Sequence, residues 1–206
     1  RLQAFSIVPE PSTLALLAAC ATMVSGPTAQ EVTDTIKASF AEKGIAKLDR
    51  LNQTESQKIC SDYAQSSLPV DKREKLQTAA LDGVKYPADG NFIGDWKEGE
   101  KIAQSGRGLQ YSDDGKSPNG GNCYACHQIQ KAEISFGNIG PSLTQYGKLR
   151  GNSEPIVKYT WAKIFNSHSY NACSNMPRYG AAGILTENQI RDVMALLLDP
   201  QSPVNK

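Results

Sequence analysis

The sequence predicts an all-α protein. Apolar side chains recur at helical spacing in several segments, capping-box patterns precede two of these segments, and the alternation typical of strands is nearly absent. The chain has 206 residues and a formal net charge of +1, which leaves room for one large domain or a small domain with an extension. So weak a net charge gives no reason to expect nucleic acid as a partner.

Residues 1–91 are predicted to form a helical N-terminal extension. Val32, Ile36 and Phe40 recur at i, i+4 and i+8, which indicates one apolar face of a first helix. Gly44 follows as its predicted C-terminal stop.

Two further helices are predicted in this extension. Thr54 with Gln57 has the capping-box pattern of a helix start, and another helix is predicted over residues 71–81. Helices of this length are marginal alone, so we expect them to pack on the rest of the chain or on another subunit. The extension is therefore a predicted interface.

A second domain is predicted over residues 92–206. Helical patterns cover residues 95–105, 153–166 and 186–198, and the last is the clearest because a capping box precedes its apolar stripe. Residues 112–122 are rich in Gly, Ser, Asp and Asn and are predicted to be a loop.

The motif Cys123-Tyr124-Ala125-Cys126-His127 directly follows that loop. C-x-x-C-H is typical of covalent attachment of one c-type haem, with two thioether bonds and a proximal imidazole ligand. A zinc site would need a second ligand pair at short spacing, and a thioredoxin-type dithiol would need a βαβ context. The sequence offers neither, so we predict haem c at Cys123, Cys126 and His127.

The sixth iron ligand has four candidates, namely Met176, His168, Cys173 and Met194. Met194 lies in an apolar helical stripe, where core packing is the ordinary interpretation. Met176 lies in a predicted loop and is followed by Pro177, which restricts that loop. We predict Met176 as the ligand, with Cys173 and His168 as alternatives.

The imidazole of His127 also needs a partner for its other ring nitrogen. Gly140-Pro141 follows at short distance, and the carbonyl of Pro141 is a free acceptor. We predict a hydrogen bond between them, with a simple turn as the alternative interpretation.

Three cysteines remain, Cys20, Cys60 and Cys173. Haem attachment takes place where proteins are exported, and such compartments permit disulfides. We therefore predict a periplasmic protein. The preferred pairing is Cys20 with Cys60, which would tie together the extension, and a pair that includes Cys173 stays open.

The segment at residues 12–22 is apolar and has two interpretations. Leu17-Ala18-Ala19-Cys20 resembles a lipoprotein cleavage site after a signal h-region. Pro9 and Glu10 stand where a basic n-region belongs, so we favour a mature amphipathic helix. No apolar run reaches the length of a membrane span.

Several segments of the predicted second domain together resemble the SoxX subunit of the SoxAX cytochromes. They are the opening Gly99-Glu100-Lys101-Ile102-Ala103, the haem motif, Gly140-Pro141-Ser142-Leu143, Met176-Pro177-Arg178-Tyr179-Gly180, and an ending from Leu197 to Asn205 with the pattern Asp-Pro-x-Ser-Pro-Val-Asn. The resemblance implies a class I c-type cytochrome domain with thioether bonds at Cys123 and Cys126 and axial ligands His127 and Met176. Residues 1–91 exceed such a domain, so the resemblance leaves their role open.

The resemblance also implies partners and a reaction. A SoxX-like subunit pairs with a dihaem or monohaem SoxA cytochrome in an L-cysteine S-thiosulfotransferase, which joins thiosulfate to a cysteine of the carrier SoxYZ. The bond-forming site is expected on SoxA, and the SoxX haem passes the released electrons to a downstream cytochrome acceptor. The chain itself offers no nucleophile and base pair, which agrees with electron transfer alone. Two alternatives are a free-standing monohaem carrier and a haem-bearing structural subunit.

Overall fold

The computed structural model describes residues 26–206, and the predicted all-α fold is confirmed there, since this range contains no strand beyond an isolated bridge. Its α-helices are α1 (Ala29–Ser39), α2 (Glu55–Asp62), α3 (Val70–Asp82), α4 (Trp96–Gln104), α5 (Tyr146–Arg150), α6 (Glu154–Phe165) and α7 (Glu187–Leu198). The chain forms two compact units, divided between residues 41 and 42. Helix α1 lies in the first unit, and α2 to α7 lie in the second.

Helix α1 begins at a capping box formed by Thr28 and Glu31, so two of its otherwise unpaired N-terminal amides are satisfied. It ends at Ser39, because Phe40 already has extended backbone dihedrals. The predicted stop at Gly44 is therefore several residues too late.

The other predicted helices lie close to their expected bounds. Thr54 and Thr186 form the capping boxes of α2 and α7, and Asp95 caps α4 by accepting from an amide of its first turn. Ser153 occupies the N-cap of α6 without a side-chain hydrogen bond. Helix α5 was not predicted, because five residues are too few for a periodic pattern.

Helices α4 and α7 form the main helix pair of the second unit, and they approach each other at Gly99. A Cβ built on Gly99 would lie 2.1 Å from the carbonyl oxygen of Asp192 and 3.1 Å from Cβ of Leu196. Only glycine permits this close approach. The crossing brings the end of α4, which leads into the haem motif, onto the buried face of α7.

Helix α6 completes the core through Trp161, which is fully buried. The Trp161 indole Nε1–H donates to the carbonyl of Lys85 at 2.8 Å, and its ring meets the edge of Phe92 at a centroid distance of 5.5 Å. The segment after α3 is thereby fixed against α6.

The C-terminal tail is held by buried polar side chains. Ser202 Oγ donates to the carbonyl of Leu196 at 2.6 Å, and Asn205 Nδ2 donates to the carbonyl of Leu197 at 3.0 Å. Asn205 Oδ1 also accepts from the backbone of Gly147 in α5. The Ser-Pro-Val-Asn ending therefore joins α5 to α7.

The predicted disulfide between Cys20 and Cys60 is wrong. Cys60 is bonded to Cys173, across a sequence separation of 113 residues. Helix α2 places Cys60 beside the loop that contains Cys173, with a Cα–Cα distance of 5.6 Å, which is the ordinary spacing of a disulfide. This proximity depends on tertiary packing, so cysteine spacing could not indicate it.

The remaining predictions concern residues 12–22, the domain boundary and a membrane span. The apolar segment at residues 12–22, including Cys20, lies outside the described residues. The predicted domain boundary at residue 91 stays a prediction. Within residues 26–206, no helix has the length and apolar character that crossing a bilayer requires.

Candidate functional site

The predicted haem motif forms a tight turn that follows the loop after α4 and lies beside the last turn of that helix. Cys123–Ala125 is a 3₁₀ turn, and the amides of Cys126 and His127 both donate to the carbonyl of Cys123. Just before the turn, Gly121 N–H donates to the carbonyl of Ile102 in α4 at 2.8 Å. The turn therefore presents two thiols and an imidazole together from one short segment fixed to α4.

The ring of His127 is oriented by a single hydrogen bond. Its Nδ1 lies 2.7 Å from the carbonyl oxygen of Pro141, so the hydrogen bond expected from the sequence is present. A carbonyl can only accept, so Nδ1 carries the proton and Nε2 is left with a free lone pair. This is the tautomer in which an imidazole can bind a metal through Nε2.

Gly140 is required beside that ring. A Cβ at this position would lie 2.1 Å from Cε1 and 2.4 Å from Nδ1 of His127. The Gly140 amide also donates to the carbonyl of Cys126 at 2.8 Å. Gly140 thus lets the backbone pass close to the ring and ties this segment to the motif.

A cavity of about 330 Å³ opens in front of the motif. The thiols of Cys123 and Cys126, the ring of His127, and Pro141 all lie on its wall. Apolar side chains from α6, α7 and the connecting loops supply much of the remaining wall, namely Ile129, Leu143, Ile164, Leu185, Val193 and Leu196. Such a cavity suits a large, flat, mostly apolar group.

Met176 lines the same cavity, in the loop between α6 and α7. Its carbonyl accepts from Ser167 Oγ at 2.6 Å, and its amide donates to Ser174 Oγ at 3.2 Å. Pro177 follows and also lines the cavity. The structure therefore brings Met176 and His127, which lie far apart in sequence, to one enclosure.

The other candidate ligands are placed differently. Met194 is fully buried in the apolar core, and Cys173 is bonded to Cys60. His168 is buried among the residues after α6 and is not on the cavity wall. Burial, with the nearby Arg178 guanidinium, lowers the pKa of His168.

Desolvation disfavours ionisation of one thiol and one phenol at the site. Burial raises the pKa of Cys123 to about 12, and burial likewise raises the pKa of Tyr179. The Tyr179 hydroxyl donates to the carbonyl of Gly121, which links the Met176 loop to the segment before the haem motif. This part of the cavity is therefore uncharged, and the buried hydroxyl of Tyr179 has a hydrogen-bond partner.

Sequence reasoning missed the roles of Tyr179 and Ser167. In the sequence Tyr179 stands out only as part of the Met176-to-Gly180 motif, and nothing local predicts that its hydroxyl reaches Gly121, 58 residues earlier. Ser167 follows the end of α6 and resembles an ordinary turn residue, so its bond to Met176 gives no sequence signal.

The donor set and the cavity together fit covalently attached haem. Two thiols lie on one turn, an imidazole presents a free Nε2, a thioether lines the same enclosure, and the wall is mostly apolar. Among the described residues, no cluster of three or more His, Cys, Asp or Glu offers a site for a separate metal ion.

Two comparisons with known proteins bear on the family of this chain, and the first agrees with the site. The family profile described as "Cytochrome c" matches residues 97–199. A protein of Aquifex aeolicus (strain VF5), named "Uncharacterized lipoprotein", is 39% identical over 173 residues, which cover 82% of this chain and 79% of the relative. By the profile match and by the site described above, the chain belongs to the cytochrome c family, whose members carry covalently bound haem c and transfer electrons.

Proposed function

We propose that His127 and Met176 are the axial ligands of a single haem c, attached through Cys123 and Cys126. The observation that carries this proposal is that His127, oriented through Pro141, shares one apolar cavity with Met176. When bound, the haem supplies reversible one-electron transfer at its iron. A thioether ligand opposite imidazole raises the reduction potential.

The chain's own residues keep that site rigid. The Pro141 carbonyl fixes the ring of His127, while Ser167 and Tyr179 hold the loop of Met176 from two sides. Fast electron transfer needs ligands that move little between oxidation states, and fixed rotamers and hydrogen bonds provide this.

We further propose that the chain is the electron-accepting subunit of a SoxAX-type L-cysteine S-thiosulfotransferase. Its partners would be a SoxA-type cytochrome, the carrier SoxYZ reached through the complex, and a downstream cytochrome acceptor. The support is the resemblance of the Met176-Pro177-Arg178-Tyr179-Gly180 loop and of the C-terminal ending. The bond-forming step is assigned to the SoxA-type partner, and this chain accepts the electrons.

A free-standing monohaem carrier is equally compatible with the cytochrome c fold. The Ser202 and Asn205 side chains of the resembling tail hold α5 and α7 together, so this part of the resemblance supports the fold more than any partner. Residues 42–91 belong to the same compact unit as the cytochrome c residues, so the extension does not separate the two functions and a direct test is needed.

Reconstitution tests the complex directly. We expect the haem-loaded chain, co-expressed with the SoxA-type protein from the same genome, to elute with it as a heterodimer in size-exclusion chromatography. The Soret and α bands of this chain's haem should then shift to the ferrous form on addition of thiosulfate and SoxYZ, and only when the partner is present.

A matched variant controls this experiment. Replacing Cys123 and Cys126 with alanine removes the haem attachment and should leave no reducible signal from this chain. If the wild-type chain elutes alone and thiosulfate consumption is unaffected by its omission, it is a free-standing carrier and the SoxAX proposal is wrong.

We propose a periplasmic location with a lipid attached at Cys20. Cys20 follows Leu17-Ala18-Ala19 at the end of an apolar segment, the pattern of a lipoprotein cleavage site. The relative from Aquifex aeolicus is itself named a lipoprotein. This favours the cleavage-site interpretation of residues 12–22 over the mature amphipathic helix.

Mass spectrometry of the protein from its native membranes tests the lipid. We expect the mature chain to begin at Cys20 and to carry the added mass of a diacylglyceryl group, and we expect Cys20→Ala to remain in the soluble fraction after lysis. An unmodified Cys20 within a mature chain would contradict the proposal.

A further inference from the structure

The Cys60–Cys173 disulfide joins the predicted N-terminal extension to the loop that contains Met176, the proposed distal ligand. Cys60 lies in α2, and Cys173 lies three residues before Met176. No other covalent link connects α2 to this loop within the described residues. The bridge therefore bears directly on the position of Met176.

The loop forms a wall between two spaces. Residues 173–177 line the cavity in front of the haem motif, and the same residues line an outer groove of about 770 Å³. Helix α2 also lines this groove, through Gln57, Cys60 and Ser61. If the loop moved outward, the cavity would open into the groove on the distal side.

The non-covalent contacts of the loop lie mainly after Met176, where the Tyr179 hydroxyl donates to Gly121 and the Gly180 amide donates to the carbonyl of Phe165. Cys173, Asn175 and Pro177 are exposed, and Met176 is half-buried. At Met176 itself, Ser167 Oγ donates to the carbonyl and the side chain packs against the apolar core. Before Met176, the bridge at Cys173 is the covalent cross-link that restrains the loop within residues 26–206.

We propose that the Cys60–Cys173 bridge positions the loop of Met176. It holds Met176 on the distal side of the haem, and it keeps external ligands from passing through the groove to the iron. This inference rests on the proposed ligation by Met176. An external ligand binds only when the loop is open, so its apparent affinity scales with the open population. Removing the bridge increases that population.

Imidazole binding to the ferric, haem-loaded full chain is the first test. We expect Cys60→Ala with Cys173→Ala to raise the apparent imidazole affinity by roughly tenfold or more, since each tenfold gain in the open population gives a tenfold gain in affinity. The sulfur-to-iron charge-transfer band should also be lost at a lower temperature than the far-ultraviolet circular dichroism of the helices.

A matched control separates positioning from general stability. Trp161→Phe removes the hydrogen bond to Lys85 in the core, away from the cavity wall, and should lower the unfolding temperature without changing imidazole affinity. If both variants bind imidazole equally at equal loss of stability, the bridge has only a structural role and the inference is overturned.

A measurement on the wild-type chain covers the case in which the double variant fails to fold. Ascorbate reduces the iron in two samples, and one of them also receives dithiothreitol. Dithiothreitol gives two electrons to the Cys60–Cys173 bridge and becomes its own cyclic disulfide. Iodoacetamide then caps the two thiols that form. We expect carbon monoxide to bind roughly tenfold faster to the capped sample, in line with a tenfold larger open population. Equal rates would overturn the inference.

The same experiments separate this inference from the proposed ligation. If the wild-type chain has no sulfur-to-iron charge-transfer band, the assignment of Met176 fails first. If the band is present and the bridge variant still behaves as wild type, only the positioning role fails.

Discussion

Replacing Met176 with alanine should abolish the sulfur-to-iron charge-transfer band and lower the reduction potential, while the haem stays covalently attached. Met176 supplies the only thioether on the cavity wall among the described residues, and alanine cannot reach across the cavity. Axial ligands set haem potentials over about 0.8 V, so we expect a fall on the order of 0.1 V or more. Absorption spectra and a redox titration of the purified chain measure both effects.

Met194 provides the matched control for that experiment. It is a buried methionine of α7 that packs in the apolar core and is not on the cavity wall. Met194→Leu conserves volume and should cost less than about 1.5 kcal/mol of stability, with the band and the potential unchanged. A band that survives in Met176→Ala and disappears in Met194→Leu would show that the ligand has been assigned to the wrong methionine.

Gly99→Ala should destabilise the second unit strongly, although alanine favours helices. In an exposed helix this substitution would gain about 1 kcal/mol from helix propensity. At Gly99 the new Cβ would lie 2.1 Å from the Asp192 carbonyl oxygen, so α4 and α7 must separate. Overpacking of this kind costs about 1–3 kcal/mol, and the upper end applies here because the Cβ would meet a backbone oxygen. After subtraction of the helix-propensity gain, we expect a net loss of about 2 kcal/mol in urea unfolding.

Gly83 gives the control for this prediction. It follows α3 with a φ of −80°, and a Cβ there would make an ordinary contact at 3.4 Å. Gly83→Ala should therefore be neutral or stabilise by about 0.4–1 kcal/mol. If both substitutions have the same effect on the urea midpoint, the helix crossing tolerates a side chain and the packing described here is wrong at Gly99.

Local sequence patterns predict the longer helices, because capping and amphipathic spacing depend on neighbouring residues. The capping box of Thr186 and the apolar stripe of α7 are set by neighbours within a few residues, and the structure has that helix at Glu187–Leu198. The same holds for the haem motif, since two thiols and an imidazole within five residues share one turn. Helix α5 could not be predicted in this way, because five residues are too few to show helical periodicity.

The sequence alone predicts the all-α class, the haem motif and the hydrogen bond of His127 to Pro141, because each depends on contacts between residues that are close together in the chain. Tertiary packing instead sets the pairing of Cys60 with Cys173 and the contacts by which Ser167 and Tyr179 hold the loop of Met176. The Cys60–Cys173 and Tyr179–Gly121 contacts join residues far apart in sequence, and the Ser167–Met176 bond depends on how the loop after α6 folds back. The packing of α4, α6 and α7 determines such contacts, and no spacing rule encodes it.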